Sequence, residues 1–307
     1  MRCLPIIEEA VDRGIPCELI GTVSEIDWLI RKIERVNIKI TCVDVAIQHI
    51  PRKDAILIVD SYSIDINEPI IQEKNWKKVI SISDIFTPKY RASMYFHFGL
   101  DISWFKGNLK QVIYGRNYIP IRNSLRKTKF GEVPSRIRKI VIFGGGVDSF
   151  ELSKKLAQLL HKWNIFDEAV FLGDNNNEIE SIDSRFRSIK FGEALDQELN
   201  HADAVLTTAS TSSLEILALE IPLGIFCAVS NQKYYFDYLG ENNLAAKLGI
   251  LREDKYWEID EITLEKFLAD SAFRQKLKNN SHSLIDCKGA LRIVDKLVDM
   301  SLNIKPQ

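Results

Sequence analysis

The stretch Ala55-Ile-Leu-Ile-Val59 is apolar at every position, and Lys139-Ile-Val-Ile-Phe143 nearly so; neither shows the polar–apolar alternation of a half-exposed strand. A strand of that kind is stable in water only when both faces of its sheet are covered, as in a parallel sheet carrying helices on both sides. The fold class expected is therefore α/β. Further extended runs fall at Cys17 to Ile20, Ile38 to Val43, Val79 to Ile82 and Val112 to Tyr114, then at Ala169 to Leu172, Ser188 to Phe191, Ala204 to Thr207 and Leu223 to Phe226. Helical patterns separate several of them. The chain opens MRCLPIIEEAVDRGIPCELIG, in which Leu4, Ile6, Ile7, Ala10 and Val11 recur at three- and four-residue steps, Glu8, Glu9, Asp12 and Arg13 fill the other face, and Gly14 ends the pattern. Ser24 to Arg35, Phe150 to Trp163 and about Ser212 to Leu219 read as helices in the same way.

A chain of 307 residues, 46% hydrophobic, can bury two ordinary cores, so two domains are expected. The stretch RNSLRKTKFGEVPSRIRK, Arg122 to Lys139, has no periodic apolar face and reads as the linker, which divides the chain into 1–128 and 129–307. Lys plus Arg (41) nearly cancel Asp plus Glu (42), which argues against a general nucleic-acid binder. No apolar run reaches the roughly 20 residues of a membrane span, and a cytoplasmic location is expected. The five cysteines are scattered through mostly apolar runs, as reduced core thiols are. Histidines 49, 97, 161, 201 and 282 are dispersed without ligand spacing, so neither a metal nor a cofactor is expected; each reads as surface or core, with His49 a remote candidate.

Three stretches of the second half could carry chemistry. In Phe143-Gly-Gly-Gly-Val-Asp148 a buried strand runs into glycines ahead of a helix, where Gly144 and Gly145 would let a phosphate approach the backbone; a tight turn without a ligand is an equal reading. In Thr207-Thr-Ala-Ser-Thr-Ser-Ser-Leu-Glu215 small hydroxyl residues sit between a strand and a helix, offering Ser210, Thr211 and Ser212 to a diphosphate and Glu215 to a ribose. Local sequence alone favours a plainer reading, a capping box with Ser212 as cap and Glu215 reaching back. The third stretch, Ala228-Val-Ser-Asn-Gln-Lys233, follows an apolar run and places Asn231 and Gln232 where sheets of this class hold ligands; a plain polar helix start is an equal reading.

Taken in order, TTASTSSLEILALEIPLGIF, SNQ and DCKGALRIVDKL resemble the carboxyl-terminal domain of the PseG-type UDP-2,4-diacetamido-2,4,6-trideoxy-β-L-altropyranose hydrolases of pseudaminic acid synthesis, relatives of the MurG glycosyltransferases. The opening MRCLPIIEEAVDRGIPCELI, then ILIVDSYSID and YGRNYIPIR, extend the resemblance over nearly the whole chain. It implies a GT-B architecture of two Rossmann-like domains facing a cleft, and a UDP-linked sugar as the partner. Ser210, Thr211 and Ser212 would line the diphosphate, Glu215 would hold the ribose, and Asn231 and Gln232 would lie near the phosphates or sugar. Asp60 and Tyr62 would belong to a sugar-side loop and are the catalytic candidates, although a partly buried loop aromatic is an even reading of Tyr62.

The reaction implied is attack of water on the anomeric carbon with departure of UDP and inversion. In the family, the MRCL-like helix follows a first strand and a Gly-x-Gly-His loop bearing the catalytic histidine, and this chain begins just after them; Ser210 also stands where the phosphate loop has glycine, and GGGVDS where it has a GGSDP-like turn. The expectation is thus a first domain without its central strand, from a start lying upstream or from a fold that closes differently. A UDP-sugar-dependent glycosyltransferase and a non-catalytic nucleotide-sugar binder are the alternatives on the same scaffold.

Overall fold

The structure, a computed structural model, describes residues 2–21, 27–36, 38–41, 52–61, 64–83, 92–102, 111–126, 131–145, 150–173, 177–190 and 192–302. The chain divides into two compact units: Met1–Asn123 with Asp286–Gln307, and Ser124–Ile285.

The first unit runs α1 (Leu4–Asp12), β1 (Glu18–Ile20), α2 (Asp27–Arg35), β2 (Lys39–Thr41), β3 (Arg52–Val59), β4 (Trp76–Ile82), β5 (Met94–His97) and β6 (Val112–Tyr114). Among the described residues its strands form two parallel sheets, β1-β2 and β3-β4-β5-β6. Ion pairing of Glu18 with Arg52 ties one sheet to the other. The run Ala55–Val59 does serve both faces, Ile56 and Ile58 packing with one apolar cluster and Ala55, Leu57 and Val59 with another. Residues 55–58 are only half-buried, however, and among the described residues β3 is an edge strand of its sheet. Helix α1 lays Ile6 and Ala10 on Ile80, Ile82, Phe96 and Phe98 and ends at Gly14, whose φ of 71° is the left-handed conformation that glycine adopts without cost. Glu8, expected on the polar face, is 4% exposed, its carboxylate accepting from Lys32 Nζ at 3.0 Å and from the Asn123 N–H at 3.1 Å.

The second unit runs β7 (Ile137–Phe143), α3 (Leu152–Leu160), β8 (Phe166–Leu172), α4 (Asn177–Glu180), β9 (Phe186–Ile189), α5 (Glu193–Leu199), β10 (Ala204–Thr208), α6 (Thr211–Ala218), β11 (Leu223–Cys227), α7 (Lys233–Glu241), β12 (Ala246–Leu251), β13 (Trp257–Ile259), α8 (Glu261–Ala269) and α9 (Ser271–Ser281). Its strand order is β13-β12-β11-β10-β7-β8-β9, parallel except for β13. The expected linker overlaps β7, since Ile137–Lys139 already belong to that strand. Arg274 fixes the entry: fully buried, it donates to the carbonyls of Pro134 at 2.8 Å and Ser135 at 3.3 Å and to those of Phe267 and Leu268.

The expected division 1–128 and 129–307 needs correction at its end. The final helix, α10 (Gly289–Leu302), packs with the first unit, where Ile293 and Val294 join Ile6, Ala10 and Ile80, and Arg13 donates to Asp295 at 2.6 Å. Gly289, at its start, lets the backbone approach closely, since an added Cβ would lie 2.0 Å from the carbonyl oxygen of Ile119. Only glycine allows that approach. Gly289→Ala is expected to lower stability by about 1–3 kcal/mol in urea unfolding, while Gly131→Ala, which meets nothing within 4 Å, changes it by less than about 0.5 kcal/mol.

Candidate functional site

In an open parallel sheet the chain returns on one side of the first strand and then on the other, and a crevice opens beyond the carboxyl ends where the direction changes. In the second unit that point lies between β7 and β10, since β7 continues to β8 on one side while β10 continues to β11 on the other. Register aligns the two strands, with Ala204 opposite Ile140 and Thr207 opposite Phe143, so they end at the same level.

Strand β7 delivers Gly144 and Gly145 to this point. Gly145 has φ of 113°, a conformation that side chains resist, and Thr208 Oγ1 donates to the carbonyl of Gly144 at 3.3 Å. Strand β10 then delivers Ser210, in extended conformation, as the N-cap of α6. Its Oγ accepts from the Ser212 N–H at 3.3 Å, and Ser213 Oγ donates back to its carbonyl at 2.5 Å. The capping box expected on Ser212 is therefore absent: the cap stands two residues earlier, which places Glu215 five residues beyond it and out of the reciprocal position. Ser213, Leu214, Ile216 and Leu217 are the buried side of α6, leaving Thr211, Ser212 and Glu215 half-buried on its other flank. The helix begins with N–H groups and positive potential directed at the crevice.

Strand β11 supplies the third loop. The Ala228 N–H donates to Gln232 Oε1 at 2.8 Å and closes a 3-10 turn, Ser230–Gln232, with Asn231 exposed at its tip. The oxygen of Gln232 thus holds the turn. Since β11, β10 and β7 are neighbours, Gly144 and Gly145, Ser210 to Ser212, and Asn231 and Gln232 come from strand ends spanning about 10 Å, two inter-strand spacings.

The candidates of the first unit are placed differently. Asp60 follows β3 and is ion-paired with Arg2, whose Nε donates to Oδ2 at 3.2 Å and whose Nη2 meets Oδ1. Both carboxylate oxygens are engaged, so Asp60 ties the start of α1 to the sheet. Burial, and next the charge of Asp60, push the neighbouring Cys3 thiol up to about 12, which leaves it inert at neutral pH. Tyr62 and His49 lie outside the described residues, as do Gly146 to Ser149 of the glycine loop. His97 is fully buried at the end of β5 with Nδ1 2.9 Å from the Ser83 carbonyl, a core histidine. Among the described residues no group of three or more His, Cys, Asp or Glu side chains could hold a metal, and no helix is long and apolar enough to cross a membrane.

No protein-family model matches the chain, and neither does any curated protein. Solved structures do. MurG of Acinetobacter baumannii superposes with a TM-score of 0.61 at 10% identity, over 97% of this chain and 95% of that one. The kitacinnamycin glycotransferase gives 0.67 at 11% identity over 97% and 95%, and Staphylococcus aureus MnaA in complex with UDP gives 0.66 at 10% over 100% and 95%. The fold is accordingly of the MurG-like GT-B type, an α/β architecture of two Rossmann-like units with mostly parallel sheets.

The cap assignment is open to a direct check. Ser210→Ala should cost about 1 kcal/mol in urea unfolding, and Ser212→Ala should stay within about 0.5 kcal/mol. The reverse order would restore Ser212 as the cap.

Proposed function

We propose that the chain binds a UDP-linked sugar and hydrolyses it to UDP and the free sugar, as PseG-type hydrolases do, in the cytoplasmic synthesis of pseudaminic acid or a related surface glycan. The observation that carries the reading is the meeting of a left-handed glycine, a capped helix N-terminus and a polar turn at the one crevice of the second sheet. A diphosphate is the ligand such a place suits, because its charge meets a helix N-terminus beside a glycine backbone that admits close approach. That a UDP complex is known for a structure of the same fold is consistent with this.

On this reading Gly144 and Gly145 admit the ligand, Ser210, Thr211 and Ser212 surround the diphosphate, Glu215 accepts hydrogen bonds from the ribose hydroxyls, and Asn231 lies toward the sugar. Gln232 acts through the turn it closes. In the reaction a water oxygen bonds to the anomeric carbon as the carbon–oxygen bond to the diphosphate breaks. UDP leaves with the electron pair, and the water proton passes to solvent or a base. Charge building on the leaving oxygen is stabilised by the N-terminus of α6. The same geometry would serve transfer to an acceptor hydroxyl, or binding without turnover.

Calorimetric titration of the full chain should show UDP binding, and Glu215→Ala should weaken it about tenfold or more while changing stability by less than about 0.5 kcal/mol. Absence of UDP binding by the unaltered chain would end the reading. UDP released from UDP-2,4-diacetamido-2,4,6-trideoxy-β-L-altropyranose without an acceptor identifies the hydrolase. Release that requires an added hydroxyl acceptor identifies a transferase, and binding without release a sensor or carrier.

A further inference from the structure

Among the described residues the exposed aromatics of the second unit are Phe150, at 40%, and Tyr256, at 58%, beside the exposed aliphatics Val229, Ile250 and Ile262. Both stand at the carboxyl end of the sheet, Phe150 where the loop after β7 enters α3 and Tyr256 in the turn between β12 and β13. Neither is a loose surface residue. Trp257 Nε1 donates to the carbonyl of Phe150 at 2.9 Å, and the indole packs edge-on against Phe226 of β11, centroids 5.9 Å apart. Both aromatics are thereby anchored to the strand that carries Asn231 and Gln232. Directly after Phe150, Glu151 is held at φ of 52°, a left-handed conformation unfavourable for a side chain with a Cβ. The Lys155 ammonium lies 5.4 Å from the Tyr256 ring centroid, which orients that ring.

We propose that Phe150 and Tyr256 form a sugar-binding lip, their rings taking the apolar C–H face of the hexose carried by the nucleotide. The inference rests on the UDP-sugar reading above and deepens it. A pyranose ring presents polar edges and an apolar face of C–H bonds, and the negative face of an aromatic ring attracts those bonds while covering them from water. Exposure of two aromatics costs solvation unless a ligand covers them, and the anchored backbone fixes them before the ligand arrives. The diphosphate end is built of backbone and small hydroxyls. The lip supplies apolar surface at the same sheet end.

The test is calorimetric titration of the full chain with UDP and with UDP-N-acetylglucosamine, for the unaltered protein, Phe150→Ala, Tyr256→Ala and Tyr256→Phe, each checked for folding by thermal melting. Each alanine variant should bind UDP-N-acetylglucosamine about tenfold more weakly and UDP within about twofold of the unaltered chain, and Tyr256→Phe should keep both affinities. Affinities for the two ligands that fall together, or that both stay unchanged, overturn the lip and leave the nucleotide-sugar reading of the unaltered chain standing. An unaltered chain that binds UDP but not UDP-N-acetylglucosamine also overturns it. Failure of the unaltered chain to bind UDP overturns the nucleotide-sugar reading, and the lip with it.

Discussion

The parallel pairing of β7 with β10 is the contact on which the second unit depends. Four residue pairs, from Ala204–Ile140 to Thr207–Phe143, fix the two strands in register, and slipping one strand would turn its alternating side chains to the opposite faces. Ile140 and Ile142 on β7 and Ala204 and Leu206 on β10 enter one apolar cluster with Leu152, Leu156 and Phe267, so the register is set by burial. Because of it, Gly144 and Ser210 leave the sheet at one level. Removing the register would remove the crevice before any crevice residue was touched.

How much of this could be read in advance follows from where each element draws its stability. Ile140–Phe143, Ala204–Thr207 and Leu223–Phe226 are buried on both faces, so their character is written in consecutive residues, and the strands appear there. Met94–His97 is a strand with no such run outside it, held by β4 and β6 on either side, and single-chain periodicity has nothing to register. The same holds for β12 and β13, whose pairing places a glycine, Gly249, against the backbone of Glu258 and Ile259. The last helix lies where the sequence offers only the resemblance of DCKGALRIVDKL, and its membership of the first unit is not written locally. Its first residue, Gly289, lies against Ile119, separated from it by the whole second unit.

The candidate site divides along similar lines. Glycines and small hydroxyl residues between an apolar run and a helix stood out in the sequence, although a tight turn and a helix cap use the same residue types. Roles within the cluster did not, since Ser210 and Ser212 are equally good caps on paper. What separates them is that Ala209 still donates to Phe226 at 2.7 Å, which prolongs the sheet by one residue and makes Ser210 the first position free to turn into the helix. Asp60 was placed on a sugar-side loop only by the resemblance of ILIVDSYSID to the hydrolase family. Its ion pair with Arg2 is a contact across 58 positions that local sequence does not announce.

The two ends of the second sheet are finished with different chemistry. At the amino end the charged groups are matched within the protein. Asp203 accepts from the N–H groups of Arg138 and Lys139 at 2.8 and 3.1 Å, Glu220 accepts from the Ser283 N–H at 3.2 Å and lies 2.9 Å from His282 Nδ1, and Arg136 donates to Asp167 at 2.9 Å. At the carboxyl end the loops after β7, β10 and β11 are closed by neutral groups, Thr208 on Gly144, Ser210 on Ser212 and Gln232 on Ala228. Charge matched by a fixed partner has little left to offer a ligand, whereas a helix N-terminus above neutral loop closures carries positive potential of its own. The proposed nucleotide site thus lies at the end where neutral groups close the loops, and the internally paired charges of Asp203 and Glu220 lie at the other.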